Sequence, residues 1–288
     1  MSLSRKLYYS LPPSLRYVAR YLVYAPVDLL ESVTGKRNKN IPPKRLIYTG
    51  GGDFIAIGKK IVNHIKQHQL LTPSSRVLDI GSGLGRIALS LTDVITEGRY
   101  EGFDIIQSGV RWCQKNISSR FPNFNFQWVR LSNDLYTNKG DDATQFVFPY
   151  KSGEFDLAIS ISVFTHMIPG EVENYLKEIK RVLKPGGYCY ATFFILNPDS
   201  VAAMTTSEDF NFKYNHGHYS LLDEKVRSAN VAYNEEYLRK ILSKNSLDIL
   251  NMEYGSWSGA HAKTAFDFQD VVILKSVDTA IQIGTKSL

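Results

Sequence analysis

Only two cysteines, Cys113 and Cys189, occur in the 288 residues. They make neither a disulfide framework nor a metal-ligand spacing. Both fall in apolar periodic segments, so the expectation is two small buried thiols in a reducing cytoplasm and no metal site. No run of about 18 apolar residues is free of charge, which argues against a membrane-spanning helix. No apolar stretch with a small-residue cleavage site follows Met1, so a secretory leader is not expected. Repeats and low-complexity tracts are missing, and a charged fraction of 22% is that of a folded chain rather than a disordered one. Acids are scarce at one end: residues 1–45 hold nine lysines and arginines against two acids, Asp28 and Glu31, a net charge of +7. The whole chain carries +6, so residues 46–288 carry −1. The basic character belongs to an N-terminal arm, and the nearly neutral remainder argues against a broad nucleic-acid-binding face.

What is present is a 43% hydrophobic content, enough for a full core in one large domain with attachments. The arm, residues 1–45, is bounded by Pro12-Pro13 and Pro42-Pro43. Between them Leu15 to Leu30 is apolar and tyrosine-rich, and it reads as an amphipathic helix up to Ala25, ended by Pro26. From residue 46 strand and helix periods alternate. Asp53 caps a helix over 54–69, and strands follow at Arg76–Ile80, Tyr100–Asp104, Phe124–Arg130, Phe155–Ile161 and Tyr188–Leu196. Helices are expected near 85–95, 107–120, 169–183 and 234–244, with a long loop over 131–154. Residues 198–230 break the rhythm and read as an insertion in a domain spanning 46–275, with a tail at 276–288. Alternation at this spacing implies an α/β fold, a parallel sheet with helices on both faces. The strands near 247–254 and 267–275 have no helix between them and are expected to pair antiparallel.

The central motif is Val77-Leu78-Asp79-Ile80-Gly81-Ser82-Gly83-Leu84-Gly85-Arg86. An apolar strand runs into glycines, which permit a tight turn and close approach of backbone to ligand. The helix that follows presents free N–H groups and the positive end of its dipole. A dinucleotide fingerprint would place its third glycine at position 86, where the chain has Arg. The glycines fall instead at 81, 83 and 85. Asp104 ends the second strand, 19 residues after Gly85, a spacing at which an acid can accept hydrogen bonds from ribose hydroxyls. A plain turn or cap aspartate is the other reading of Asp104.

The glycine loop, Asp104, Phe155-Asp156-Leu157-Ala158-Ile159 and Leu183-Lys184-Pro185-Gly186-Gly187 occur in the order of class I S-adenosylmethionine-dependent methyltransferases, which the chain resembles over roughly residues 50–275. The resemblance implies a Rossmann-like, seven-stranded, mostly parallel sheet whose last strand is antiparallel. It implies S-adenosylmethionine as cofactor. Gly81, Ser82, Gly83 and Gly85 would line the methionine part and Asp79 would help position it. Asp104 would hold the ribose, Ile105 would pack on the adenine, and Asn133 or Asp134 would meet the adenine amino group. Ser162, after the fourth strand, would face the reacting centre. Related methyltransferases close the region equivalent to Tyr48-Thr49-Gly50-Gly51-Gly52-Asp53 over the cofactor; a hinge with a helix cap is the alternative.

A sulfonium methyl is already activated, so the protein must align the nucleophile and need not display a base. His166 in Ser162-Val163-Phe164-Thr165-His166-Met167 is the candidate base, with pocket shaping as its alternative. Within the insertion, His216, His218 and Tyr219 are candidate lid residues over substrate, and no third ligand is spaced to make the histidines a metal site. Trp257 is a candidate pocket wall or packed core. The expected acceptor is a small molecule, a sugar or a lipid-linked metabolite, methylated at oxygen or nitrogen. An asparagine-proline-proline-tyrosine motif and a catalytic cysteine pair are both missing, which disfavours base methylation of nucleic acids. Two rival readings are a nicotinamide-dependent oxidoreductase, against which Arg86 speaks, and a non-catalytic S-adenosylmethionine-binding module. The arm has three readings: a helical cap over the cofactor cleft, a peripheral contact with an anionic membrane surface, and phosphate binding.

Overall fold

A computed structural model describes residues 13–48, 50–137, 139–205 and 210–277. The first helix, α1 (Pro13–Val33), does not stop at Ala25 but runs through Pro26. The ring removes one backbone N–H and frees the carbonyl of Leu22. Both residues lie on the exposed side of the helix, where water satisfies that carbonyl.

Helix α2 (Phe54–Gln67) starts where expected: Asp53 Oδ1 accepts the N–H groups of Ile55 and Ala56. Phe54, Ile61 and Ile65 are buried on its inner stripe, as the 3.6-residue period requires. Strand β1 (Arg76–Ile80) leads into helix α3 (Arg86–Leu91), which is shorter than the sequence suggests. A Cβ at Gly58 would lie 2.5 Å from the Arg86 carbonyl oxygen, so α2 packs on α3 at a distance only glycine permits. Strand β2 (Arg99–Asp104), helix α4 (Gln107–Cys113) and strand β3 (Phe124–Trp128) follow. Beyond the loop come β4 (Phe155–Ser160), α5 (Pro169–Val182) and β5 (Leu183–Phe193). Strand β5 begins five residues earlier than expected and takes in Lys184-Pro185-Gly186-Gly187.

The expected insertion is ordered secondary structure. Strand β6 (Ile195–Leu196), helix α6 (Pro198–Met204), β7 (Tyr214–Asn215), β8 (Tyr219–Leu221) and β9 (Val231–Asn234) build a second sheet in the order β6-β9-β8-β7. Helix α7 (Glu235–Lys244) then leads to β10 (Leu247–Glu253) and β11 (Asp270–Ser276). The main sheet has seven strands in the order β10-β11-β5-β4-β1-β2-β3. Strand β11 runs antiparallel to both β10 and β5, while β1, β2 and β3 are mutually parallel. The expectation of a Rossmann-like, mostly parallel sheet with an antiparallel last strand holds.

The chain divides into two compact units, one running to Leu131 and including Tyr136–Gly140, the other holding Ser132–Leu135 and everything from Asp141. In the first, Val77, Leu78, Ile80, Tyr100, Phe124 and Ile117 form a buried core. In the second, Phe194, Met204, Phe212, Leu222, Ala232 and Trp257 close a core of their own against the small sheet. The loop over 141–154 is held rather than free. Glu178 accepts the Phe148 N–H, Arg181 donates to the carbonyls of Phe148 and Tyr150, and Asn174 donates to those of Ala143 and Phe146. Of the expected tail, Ser276 closes β11 and residues 278–288 lie outside the described residues. Among the described residues no helix is long and apolar enough to cross a membrane.

Candidate functional site

In the first unit, β1 ends in a loop whose shape depends on its glycines. Gly81, Gly83 and Gly85 have φ of 72°, 58° and 75°, the left-handed region that side chains avoid. The N–H groups of Gly81 and Ser82 donate to the Phe103 carbonyl at 2.9 and 3.0 Å. The N–H of Gly83 donates to Asp104 Oδ2 at 2.8 Å. Asp104 Oδ1 accepts the Ile106 N–H at 2.7 Å and lies 3.3 Å from the Tyr48 hydroxyl, which donates to it. One carboxylate thus ties the glycine loop, the start of α4 and the segment before the Gly50-Gly51-Gly52 run. Asp104 is 7% exposed. Burial pushes its pKa up, and the N–H groups of Ile106 and Gly83 hold it back.

Asp79 lies beneath the loop, buried, and accepts the Tyr100 hydroxyl. Burial raises its pKa to about 7 against the lowering effect of Tyr100, and the nearby Asp104 charge raises it further. Tyr100→Phe removes that donor and leaves a buried carboxyl unpaired by it. The variant is expected to lose about 1–3 kcal/mol of unfolding free energy. Urea denaturation reads this directly, and an unshifted midpoint would assign no stabilising role to the hydroxyl. Ser82 Oγ is buried with no partner among the described residues, a polar atom beside the loop that a bound polar ligand can satisfy. Ile105 is half-buried, and its carbonyl accepts the Trp128 indole N–H at 3.1 Å. Trp128, 39% exposed at the end of β3, sets a flat face beside Ile105 that motif reading did not single out. Arg86 lies over the Phe54 ring at 5.2 Å and donates to the Gly50 carbonyl.

The second unit holds the remaining candidates. Ser162, past the end of β4, is non-glycine with φ 56°, a strained backbone. Its N–H donates to Thr192 Oγ1, its Oγ donates to Gln269 Oε1 at 3.0 Å, and Thr192 donates to the same oxygen at 2.7 Å. His166 turns its ring toward the backbone of 228–229: Nδ1 donates to the Ser228 carbonyl at 2.8 Å. A carbonyl only accepts, so Nδ1 carries the proton. Burial lowers the His166 pKa, and the carbonyls of Ser228 and Ala229 raise it again.

Asn133 and Asp134 spend their side chains on the protein's own backbone. Asn133 donates to the His166 carbonyl and accepts the Leu135 N–H, while both oxygens of Asp134 accept backbone N–H groups, from Ser228 and Arg227. Asp134 thus locks onto the 227–229 turn and Asn133 onto the backbone at His166, roles that their place after β3 did not foretell.

His216 stacks on Tyr219 at 5.0 Å, and the Tyr219 hydroxyl accepts from Arg227. His218 stacks on Tyr237 at 4.7 Å. Trp257 supplies no exposed wall: it is 4% exposed, meets Phe194 and Phe212 edge-on, and donates its indole N–H to Asp270. A buried indole needs a partner for its N–H, and Asp270 supplies it.

Residues 78–191 match the family described as methyltransferase domain. A phthiotriol/phenolphthiotriol dimycocerosates methyltransferase of Mycobacterium ulcerans is 25% identical over 167 residues, 58% of this chain and 48% of that protein. A fatty-acid O-methyltransferase of Mycolicibacterium smegmatis is 28% identical over 127 residues, 43% of this chain and 39% of that protein. The chain therefore spans less than half the length of these two relatives. Among solved structures, the PH0226 protein of Pyrococcus horikoshii is similar with a TM-score of 0.53 and 17% identity, over 77% of this chain and 89% of that one. A likeness at that identity speaks for the fold alone. The matched segment, less than half of the chain, runs from Leu78 in β1 to Ala191 in β5, so the part of the chain that is similar to a methyltransferase domain contains the glycine loop, Asp104 and the end of β4.

Proposed function

We propose that this chain transfers the methyl group of S-adenosylmethionine to an oxygen or nitrogen of a lipid-like small acceptor. The observation that carries the reading is Asp104, which holds the loop through Gly83 and stands at the end of β2, where a ribose would lie. S-Adenosylmethionine, when bound, supplies an activated methyl group. The chain's own residues do the rest. Gly81, Gly83 and Gly85 bring backbone close to the methionine part, Asp104 takes the ribose hydroxyls, and Ile105 with Trp128 flanks the adenine. Asp79 and Tyr100 support the loop from below. His166 clamps the 227–229 turn through its Nδ1 proton. Alignment of the acceptor then carries the rate.

The lipid-like acceptor rests on the two relatives, whose names specify a dimycocerosate lipid and a fatty acid. Two buried free thiols, Cys113 and Cys189, suit a reducing compartment such as the cytoplasm. The nicotinamide reading is disfavoured by Arg86 at the third-glycine position. Calorimetric titration with S-adenosylhomocysteine and with NAD separates the two, and transfer of labelled methyl from S-adenosylmethionine into lipid extracts separates an enzyme from a binding module. Binding of S-adenosylhomocysteine with label in a lipid fraction is the expected outcome. NAD binding alone would overturn the cofactor, and cofactor binding without label in any lipid or small-molecule fraction would favour the binding module.

A further inference from the structure

Helix α1 is held to its unit by its polar side. Asp28, 1% exposed, is the anchor. Its carboxylate accepts the backbone N–H groups of Lys44 and Arg45, and it faces the guanidinium groups of Arg45 at 3.2 Å and Arg37 at 3.7 Å. Lys44 pairs with Glu31, one turn further along. At about 100° per residue, Leu15, Val18, Leu22, Leu29, Leu30 and Val33 gather on the side away from Asp28. These six side chains are between 49% and 79% exposed. An amphipathic helix of a globular protein turns its apolar stripe to the core. In α1 the ion pairs face inward and the stripe faces outward.

Patches of this kind mark a surface for a partner. No described helix is apolar enough to cross a membrane, so a stripe of this kind serves a helix lying in a plane rather than one spanning it. The charge around it selects the occupant. Residues 1–45 carry a net +7, and Lys36 and Lys39 stand exposed just beyond the helix. A second copy of the chain would set one such arm against another, at a repulsive cost. An anionic lipid surface attracts the same charge, by about fivefold in affinity per lysine or arginine near it. We propose that the outward stripe of α1 lies in the headgroup region of an anionic membrane, with the basic residues against the lipid phosphates. The proposal stands apart from the transfer chemistry, because vesicle binding needs neither cofactor nor acceptor.

The test is cosedimentation of the full chain with vesicles of phosphatidylcholine alone and of phosphatidylcholine with phosphatidylglycerol. Binding is expected to favour the anionic vesicles by tenfold or more and to weaken as salt is raised. The double variant Leu22→Glu/Leu29→Glu is expected to lose binding at least tenfold with an unchanged melting temperature. Lys36→Glu/Lys39→Glu is expected to weaken it selectively on anionic vesicles. Equal binding to both vesicle types, or to neither, would overturn the proposal. So would a concentration-dependent dimer in sedimentation velocity that Leu22→Glu dissolves, which would assign the stripe to a second copy. A fall in melting temperature for the double variant would mean that the chain itself covers the stripe.

Discussion

Asp104→Ala is expected to abolish measurable binding of S-adenosylhomocysteine, a loss of about 100-fold or more. The substitution acts twice. It removes the acceptor proposed for two ribose hydroxyls, and hydrogen bonds to a charged group contribute about 1.5–3 kcal/mol each. It also leaves the N–H groups of Gly83 and Ile106 without the acceptor that positions the loop and the start of α4. Asp104→Asn keeps one acceptor oxygen and turns the other into a donor, so it satisfies either Gly83 or Ile106 but not both; melting is expected to fall less than in the alanine variant, while affinity for the ligand falls by tenfold or more. Calorimetry beside thermal melting reads both. Binding by the alanine variant at parental affinity would mean that the acid serves the fold alone and that its assignment to the ribose is wrong.

The second large effect is expected at Asp270, far along the chain and in the other unit. Its carboxylate is buried and accepts three N–H groups: Gly255 and Ile195 at 2.6 Å each and the Trp257 indole at 2.9 Å. Around it the chain has no room for adjustment, since a Cβ at Gly255 would meet the Phe268 carbonyl oxygen at 2.3 Å. Asp270→Ala strands all three donors and is expected to cost about 3 kcal/mol or more, seen as a lower midpoint in urea denaturation.

Burial raises the Asp270 pKa from 3.8 to about 7, against the three donors. An acid raised in this way binds its proton more tightly folded than unfolded, so its contribution to stability falls as pH climbs from about 4 to 7. Asp270→Asn removes that linkage. The stability of the parent relative to this variant is therefore expected to decline across the same window. A pH-independent difference would show that the carboxylate stays ionised throughout.

The parts of the molecule legible in the sequence are those whose local chemistry and tertiary role coincide. Asp53 caps α2 by a two-residue reach that any helix start offers, and β1 and β4 announce themselves as largely apolar runs. The glycine loop was legible because three positive φ values leave few alternatives to glycine. Elsewhere tertiary context overrode local preference. Pro26 is a helix breaker by its own chemistry, yet it sits on the open side of α1 where the lost hydrogen bond costs least. The small sheet was invisible because strands of two to four residues show no period. Asn133 and Asp134 stand where a ligand contact was expected, but their partners lie about 90 residues away at 227 and 228, or in the turn at His166. Nothing in a linear reading links those positions. Trp128 was missed for the same reason, as was the link from the Tyr48 hydroxyl to Asp104, since both rest on hydrogen bonds across the fold.

The carboxylate of Asp104 is already engaged by Gly83 and Ile106 in the chain by itself, so the loop is preorganised. A ligand arriving there has no disordered backbone to freeze, and the entropy of ordering, about 1–2 kcal/mol for each residue fixed, has been spent during folding rather than during binding. Affinity for the adenosyl portion should accordingly be limited by the contacts made rather than by loop closure. Association there should proceed at the pace of diffusion into an open, rigid cradle.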